Sequence, residues 1–151
     1  MSTKNIILNV DGLNEDFLRG TRLLGITAPI KKHLFCWRIN TLLNLDFKLC
    51  SEKEIPIQKK NRKYFFSIYQ SHEPTNAFLE HIIYHTQYDG EYLLPELKHM
   101  DYLWLIRGDS VIEEEHVNFI KQGVKAIAGV QLVAEITPDQ IKSKGNLVFD
   151  V

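Results

Sequence analysis

Five consecutive apolar residues, Tyr102-Leu103-Trp104-Leu105-Ile106, narrow most sharply what this chain can fold into. Successive side chains of a strand point to opposite faces, so an unbroken apolar run needs cover on both. The run is therefore expected at the centre of a sheet. Just ahead of it, Pro95, Glu96 and Asp101 follow another apolar stretch, Tyr92-Leu93-Leu94. Proline has no N–H for a ladder, so that strand must end or bulge at Pro95. Pro95-Glu96-Leu97-Lys98 suits one helical turn, with proline first and the acid at the positive end. Asp101 can then accept from backbone donors before the next strand begins. The stretch reads as a corner whose carboxylate holds the turn from Pro95 to Met100.

The remaining elements follow from periodicity and punctuation. Ile6 to Val10 reads as a strand closed by Asp11-Gly12, and Leu23 to Ile26 as another. Ile30 to Asn44 repeats apolar residues (Ile30, Leu34, Trp37 and Phe35, Ile39, Leu42) at helical spacing. It predicts a helix with a broad buried face, Pro29 opening its first turn. Leu45, Phe47 and Leu49 alternate with Asp46 and Lys48 as in a half-buried strand. Residues 51–63 read as a polar loop, and Tyr64 to Tyr69 as an aromatic strand. Residues 77–88 fit helix through Phe78, Ile82 and His85, or strand through Ile82-Ile83-Tyr84; the aromatic and β-branched content favours strand.

Downstream, Ser110-Val111-Ile112-Glu113 has capping-box spacing, and Val117, Ile120, Val124 and Ile127 mark one helical face. Gln131 to Ile136 predicts a strand with Leu132, Ala134 and Ile136 on one face. Thr137-Pro138-Asp139-Gln140 is a second capping box opening a short helix that Gly145-Asn146 stops. Leu147 to Phe149 is expected to pack back on the body. Several strands in succession between helices indicate an α+β domain over residues 1–151: an antiparallel sheet with two or three helices. The order is compatible with a ferredoxin-like sandwich carrying an added hairpin.

Leu94-Pro95-Glu96-Leu97-Lys98-His99-Met100-Asp101-Tyr102 resembles the motif of the IPExxxVDY family of bacterial proteins, with Leu94 and Met100 at its Ile and Val positions. Pro95, Glu96, Asp101 and Tyr102 match it. The tail Asp139 to Phe149 is similar to the family's C-terminal segment, and the likeness runs from about Leu23 onward. The family has no assigned activity, so the resemblance implies kinship without a mechanism.

Candidate chemistry is sparse. Glu96 and Asp101 could form a carboxylate pair for acid–base work or a ligand, but capping and salt bridging explain both more simply. Glu96-x-x-His99 occurs once, whereas a di-iron bundle needs two such motifs and two further glutamates. His81 and His85 share a face without the glutamate of a metalloprotease helix. No metal and no cofactor is expected. Lys59, Lys60, Arg62 and Lys63 beside Tyr64-Phe65-Phe66 are the best nucleic-acid signal, set against a solvated loop leading into a core strand. Lys142 and Lys144 read as partners of a helix C-terminus.

Eighteen basic against nineteen acidic residues leave a formal net charge of −1, which argues against bulk nucleic acid or an anionic membrane as partner. No apolar run approaches the ~20 residues that span a bilayer. Cys36 and Cys50 make no metal-ligand spacing, and with no secretory signal the expectation is a cytoplasmic protein with reduced thiols. The reading is a non-enzymatic binding or interaction module, a homodimer through an open sheet edge.

Overall fold

The computed structural model describes residues 18–73, 76–108 and 112–147. The strand read at Ile6 to Val10, its Asp11-Gly12 turn, Ser110, Val111, Val148 and Phe149 lie outside the described residues. One six-stranded antiparallel sheet organises the molecule, in the order β10-β1-β9-β6-β5-β2. Its strands are β1 (Arg22–Thr27), β2 (Lys48–Leu49), β5 (Ile68–Glu73), β6 (Asn76–His85), β9 (Tyr102–Gly108) and β10 (Leu132–Ile136). Helices α1 (Lys32–Leu43) and α2 (Glu114–Lys125) cover one face. This is the α+β architecture the sequence predicts.

β9 lies between β1 and β6, with Leu24 opposite Trp104 and Ile83 opposite Trp104 on its two sides. All five residues from Tyr102 to Ile106 are fully buried. Tyr102, Trp104 and Ile106 meet the helices; Leu103 and Leu105 join the cluster on the other face. That second face is covered by several short segments, with Leu18, a helical residue at the start of the described chain, among them. A separate hairpin, β3 (Ile55–Lys59) with β4 (Arg62–Phe66), supplies Ile55, Tyr64 and Phe66. Leu93, Leu94, Leu97 and Met100 come from the corner, and Ile141 and Leu147 from the C-terminal segment. Gly25 of β1 is needed beneath the corner: a Cβ there would lie 2.3 Å from Met100 Sδ.

Several sequence expectations change. Residues 51–63 are mostly ordered, as a 3₁₀ turn at Ser51–Lys53 and then the β3–β4 hairpin. Lys60 and Asn61 both take positive φ (52° and 65°), as a two-residue hairpin turn requires. The dense charge of that turn hid the alternation of Ile55 and Ile57 before it. Tyr64 to Tyr69 is two strands, parted at buried Ser67, where the chain passes from hairpin to main sheet. Residues 77–88 are strand, as favoured: β6, then β7 (Gln87–Tyr88), which pairs with β8 (Glu91–Tyr92) in a small ribbon.

α1 begins at Lys32, so Pro29 precedes the helix and does not open its first turn. Its buried face is narrower than its periodicity implies. Phe35, Cys36 and Ile39 are buried, while Trp37 and Leu42 stand 62% and 52% exposed. α2 buries Val117, Ile120 and Val124 as foreseen, but its N-cap is Glu113, where the sequence spacing pointed to Ser110. On β10 both parities are buried, Val133 under the helices and Ile136 on the other face, because the sheet is covered twice; Leu132 is 49% exposed. The Thr137–Gln140 capping box forms, yet it opens only a 3₁₀ turn, Pro138–Gln140. Lys142 and Lys144 therefore terminate no α-helix.

Candidate functional site

Each motif residue with a polar side chain ties the corner to another part of the chain. Pro95 is the first residue of a 3₁₀ turn, Pro95–Leu97, which buries Leu97 and turns Glu96 toward the C-terminal segment. The Glu96 carboxylate accepts the N–H of Lys142 (3.1 Å), the N–H of Ser143 (3.0 Å) and the Ser143 hydroxyl (2.9 Å). Nearby, Asn146 Nδ2 donates to the Leu93 carbonyl and Tyr84 Oη to the Leu147 carbonyl. Glu96 thus fastens the strap that closes the second face.

Burial is the largest single influence on the Glu96 carboxyl and opposes its charge. Its own backbone N–H and the donors of Ser143 and Lys142 together outweigh burial and hold its pKa below the usual glutamate range. A carboxylate depressed on folding stabilises the fold above its unfolded pKa and ceases to do so as pH falls through the folded value. Glu96→Gln, or acidification below the ordinary glutamate range, is expected to free the strap. Protection of the Lys142 and Ser143 amides, taken relative to their intrinsic exchange rates at the same pH, should fall about five- to tenfold, for the loss of a hydrogen bond worth net ~1–1.5 kcal/mol. Unchanged protection at both amides would remove Glu96 from the strap.

Asp101 works on the opposite flank. Its Oδ2 accepts the Ala28 N–H at 2.7 Å, and its Oδ1 accepts Gln87 Nε2 at 2.8 Å. Asp101 N–H donates to the Ile26 carbonyl, and Thr27 Oγ1 donates to the His99 carbonyl. Tyr102 Oη donates to the Ile30 carbonyl, and its ring stacks on Phe35 with centroids 4.1 Å apart. These bonds hold the β1–α1 link. They also explain how α1 starts with Lys31 at its N-cap, no capping side chain and no acid in its first turn. The carboxylate therefore secures Ala28 and Gln87, where the sequence pointed to the turn from Pro95 to Met100. That turn is held by its own backbone, Leu97 N–H to Leu94 and Met100 N–H to Leu97, and by Thr86 and Gln87 donating to the Met100 carbonyl. Ala28, Gln87 and Ser143 carried no signal in the sequence, since each acts through long-range register.

The two carboxylates serve different segments and both accept from the chain's own donors. Among the described residues no group of three His, Cys, Asp or Glu is placed to hold a metal ion. His81 and His85 share the helix-side face of β6, each with its own aromatic contact. His81 Nδ1 accepts Trp104 Nε1–H at 3.0 Å, and His85 lies 5.1 Å from the Tyr102 ring. Burial, with Lys32 adding to it, lowers the His85 pKa to about 4, so the ring is neutral at neutral pH. Cys36 and Cys50 are both free thiols; burial pushes that of Cys36 up to about 12.

The basic cluster occupies the tip of the β3–β4 hairpin, with Lys59, Lys60, Arg62 and Lys63 all exposed. Lys59 pairs with Glu91 at 3.3 Å and Arg62 with Asp89, both acids from the β7–β8 ribbon. Tyr64 and Phe66 are buried; Phe65, 36% exposed, meets Tyr88 edge-on at 6.2 Å. Lys60 lies within electrostatic reach of the same Glu91.

The helix layer presents the more unusual surface. Trp37 and Leu42 of α1, with Arg38, Thr41, Ala126, Ile127 and Ala128, line an apolar groove of about 330 Å³. Phe119 of α2 is 62% exposed on the same layer. Among the described residues no helix is long and apolar enough to cross a membrane. Comparison with protein-family models, curated proteins and solved structures gives no match.

Proposed function

We propose that the chain is a non-enzymatic, cytoplasmic interaction module that works as a homodimer. The observation that carries this reading is the set of large apolar side chains left in solvent: Trp37, Leu42, Phe119 and Leu132, each about half exposed or more. Contiguous exposed apolar surface marks association sites, and Trp37 and Leu42 line one groove; Trp is enriched among residues that carry binding energy. The occupation of Glu96 and Asp101 by backbone amides supports the same reading over the alternative, an enzyme or ligand site built on those carboxylates. A single-stranded nucleic-acid site at Lys59, Lys60, Arg62 and Lys63 has less support, because Lys59 and Arg62 already have acidic partners.

Kinship with the IPExxxVDY family is part of the proposal. Its support is that the two segments carrying the resemblance bind one another through Glu96 and Ser143. The strand order β10-β1-β9-β6, with a helix between β1 and β6 and another between β9 and β10, suits a ferredoxin-like sandwich with strands added beyond β6. Sedimentation equilibrium tests the association: a dimer is expected at about 100 µM chain, which saturates a micromolar self-affinity. A monomer at that concentration contradicts the homodimer.

A further inference from the structure

β10 ends the sheet. β1 lies on one side of it, and among the described residues no strand lies on the other. An open edge presents unpaired N–H and C=O groups, which proteins commonly defend with lysine, proline or a bulge. The five residues of β10, Leu132-Val133-Ala134-Glu135-Ile136, contain neither lysine nor proline. Their one charge, Glu135, is paired with Arg22 of the neighbouring strand. On the face away from the helices the strand carries half-exposed Leu132, then Ala134, then buried Ile136.

Above this edge runs α2. Gly123 of α2 meets Leu43 of α1. At 3.6 residues per turn, Glu114, Asn118, Lys121 and Lys125 form a stripe nearly opposite Gly123, on the side toward the edge. Glu114 reaches Arg22, which also binds Glu135, and Lys121 lies within electrostatic reach of Glu135. The stripe is acidic at its start and basic at its end. Laid antiparallel against a copy of itself, it sets each acid opposite a base.

We propose that two copies of the chain join β10 to β10, antiparallel, about a two-fold axis at Ala134. This rests on the homodimer reading and names for it a surface that covers Leu132, while Trp37, Leu42 and Phe119 lie outside it. A two-fold interface requires that if one residue meets another, the reverse contact also occurs. An axis at Ala134 places Leu132 opposite the partner subunit's Ile136, twice, and so covers the exposed leucine. On α2 the matching axis falls between Phe119 and Ile120, placing Glu114 opposite the partner subunit's Lys125 and Asn118 opposite the partner subunit's Lys121. The two axes are independent readings of strand and helix. With rises of ~1.5 Å per helical residue and ~3.3 Å per strand residue, the α2 axis lies ~8 Å from that helix's end and the β10 axis ~7 Å from that strand's start, on either side of the link 126–131. Alanine at the axis leaves the two backbones free to approach.

The test combines sedimentation with cross-linking of the full chain in a Cys50→Ser background, where Cys36 is buried. Ala134→Cys is expected to form a disulfide-linked dimer on mild oxidation, since residues facing each other across antiparallel strands fall within the ~4.4–6.8 Å Cα separation a disulfide needs. Leu132→Cys, four residues out of register with its own copy, is expected to stay unlinked. Lys125→Glu, which sets two acid pairs face to face, is expected to raise the dimer dissociation constant about tenfold at low salt and less at high salt. Circular dichroism checks that each variant is folded; if Ala134→Cys is not, the Lys125→Glu shift decides. A dimer that neither cross-links at residue 134 nor responds to Lys125→Glu overturns this interface while leaving the homodimer in place. A monomer with slow-exchanging β10 amides overturns both, assigning the edge to another segment of the chain.

Discussion

Replacing Trp104 with alanine is expected to lower stability by about 3–5 kcal/mol, the range for removing a fully buried large aromatic. Trp104 sits in the middle of β9 with no solvent exposure, on the helix-side face. Its indole meets the Phe47 ring edge-on at 5.1 Å and donates Nε1–H to His81 Nδ1. Truncation therefore opens a cavity between sheet and helices and withdraws a donor from a buried imidazole. Both effects act in the same direction, since a buried acceptor left unpaired costs ~1–3 kcal/mol. Chemical denaturation should show a lower midpoint at an unchanged slope. Trp37→Ala is the internal control: on the exposed face of α1 it should alter stability by no more than about 0.5 kcal/mol. Equal losses at the two tryptophans would contradict the burial assigned to the helix layer.

Asp101→Ala is expected to cost about 1–3 kcal/mol, the penalty for leaving donors unpaired. The Ala28 N–H is stranded, and Gln87 Nε2 keeps only its bond to the Met100 carbonyl. The loss should appear first at the start of α1, because that helix has no cap of its own and relies on Asp101 and Tyr102 to fix residues 28–30. Faster amide exchange at Ala28 and in the first turn of α1, with β9 unaffected, is the local signature. Pro95→Ala should cost less than Asp101→Ala, since only the preorganisation of one 3₁₀ turn is lost. An Asp101→Ala protein with the parental midpoint and slope would release the carboxylate for a ligand and revive the binding-site alternative.

What the sequence determined by itself is whatever depends on local rules. An apolar run on both strand faces can only be central, and Tyr102–Ile106 is central. A proline must end a ladder, and Pro95 opens a 3₁₀ turn at a corner. Spacing of three and four marks the buried face of α2, and the Thr137–Gln140 box caps as its spacing requires. Tertiary structure decided what those rules leave open. Trp37 and Leu42 keep helical spacing yet face solvent, because a helix lying on one sheet buries only the stripe that touches it. Residues 55–66 form a hairpin because the second sheet face needs cover, a demand invisible in a run of lysines. Glu96 and Asp101 could be recognised as corner carboxylates, but their partners lie 46 and 73 residues away in the chain. No local pattern encodes such a distance: a carboxylate's role is set by which amides the fold brings to it.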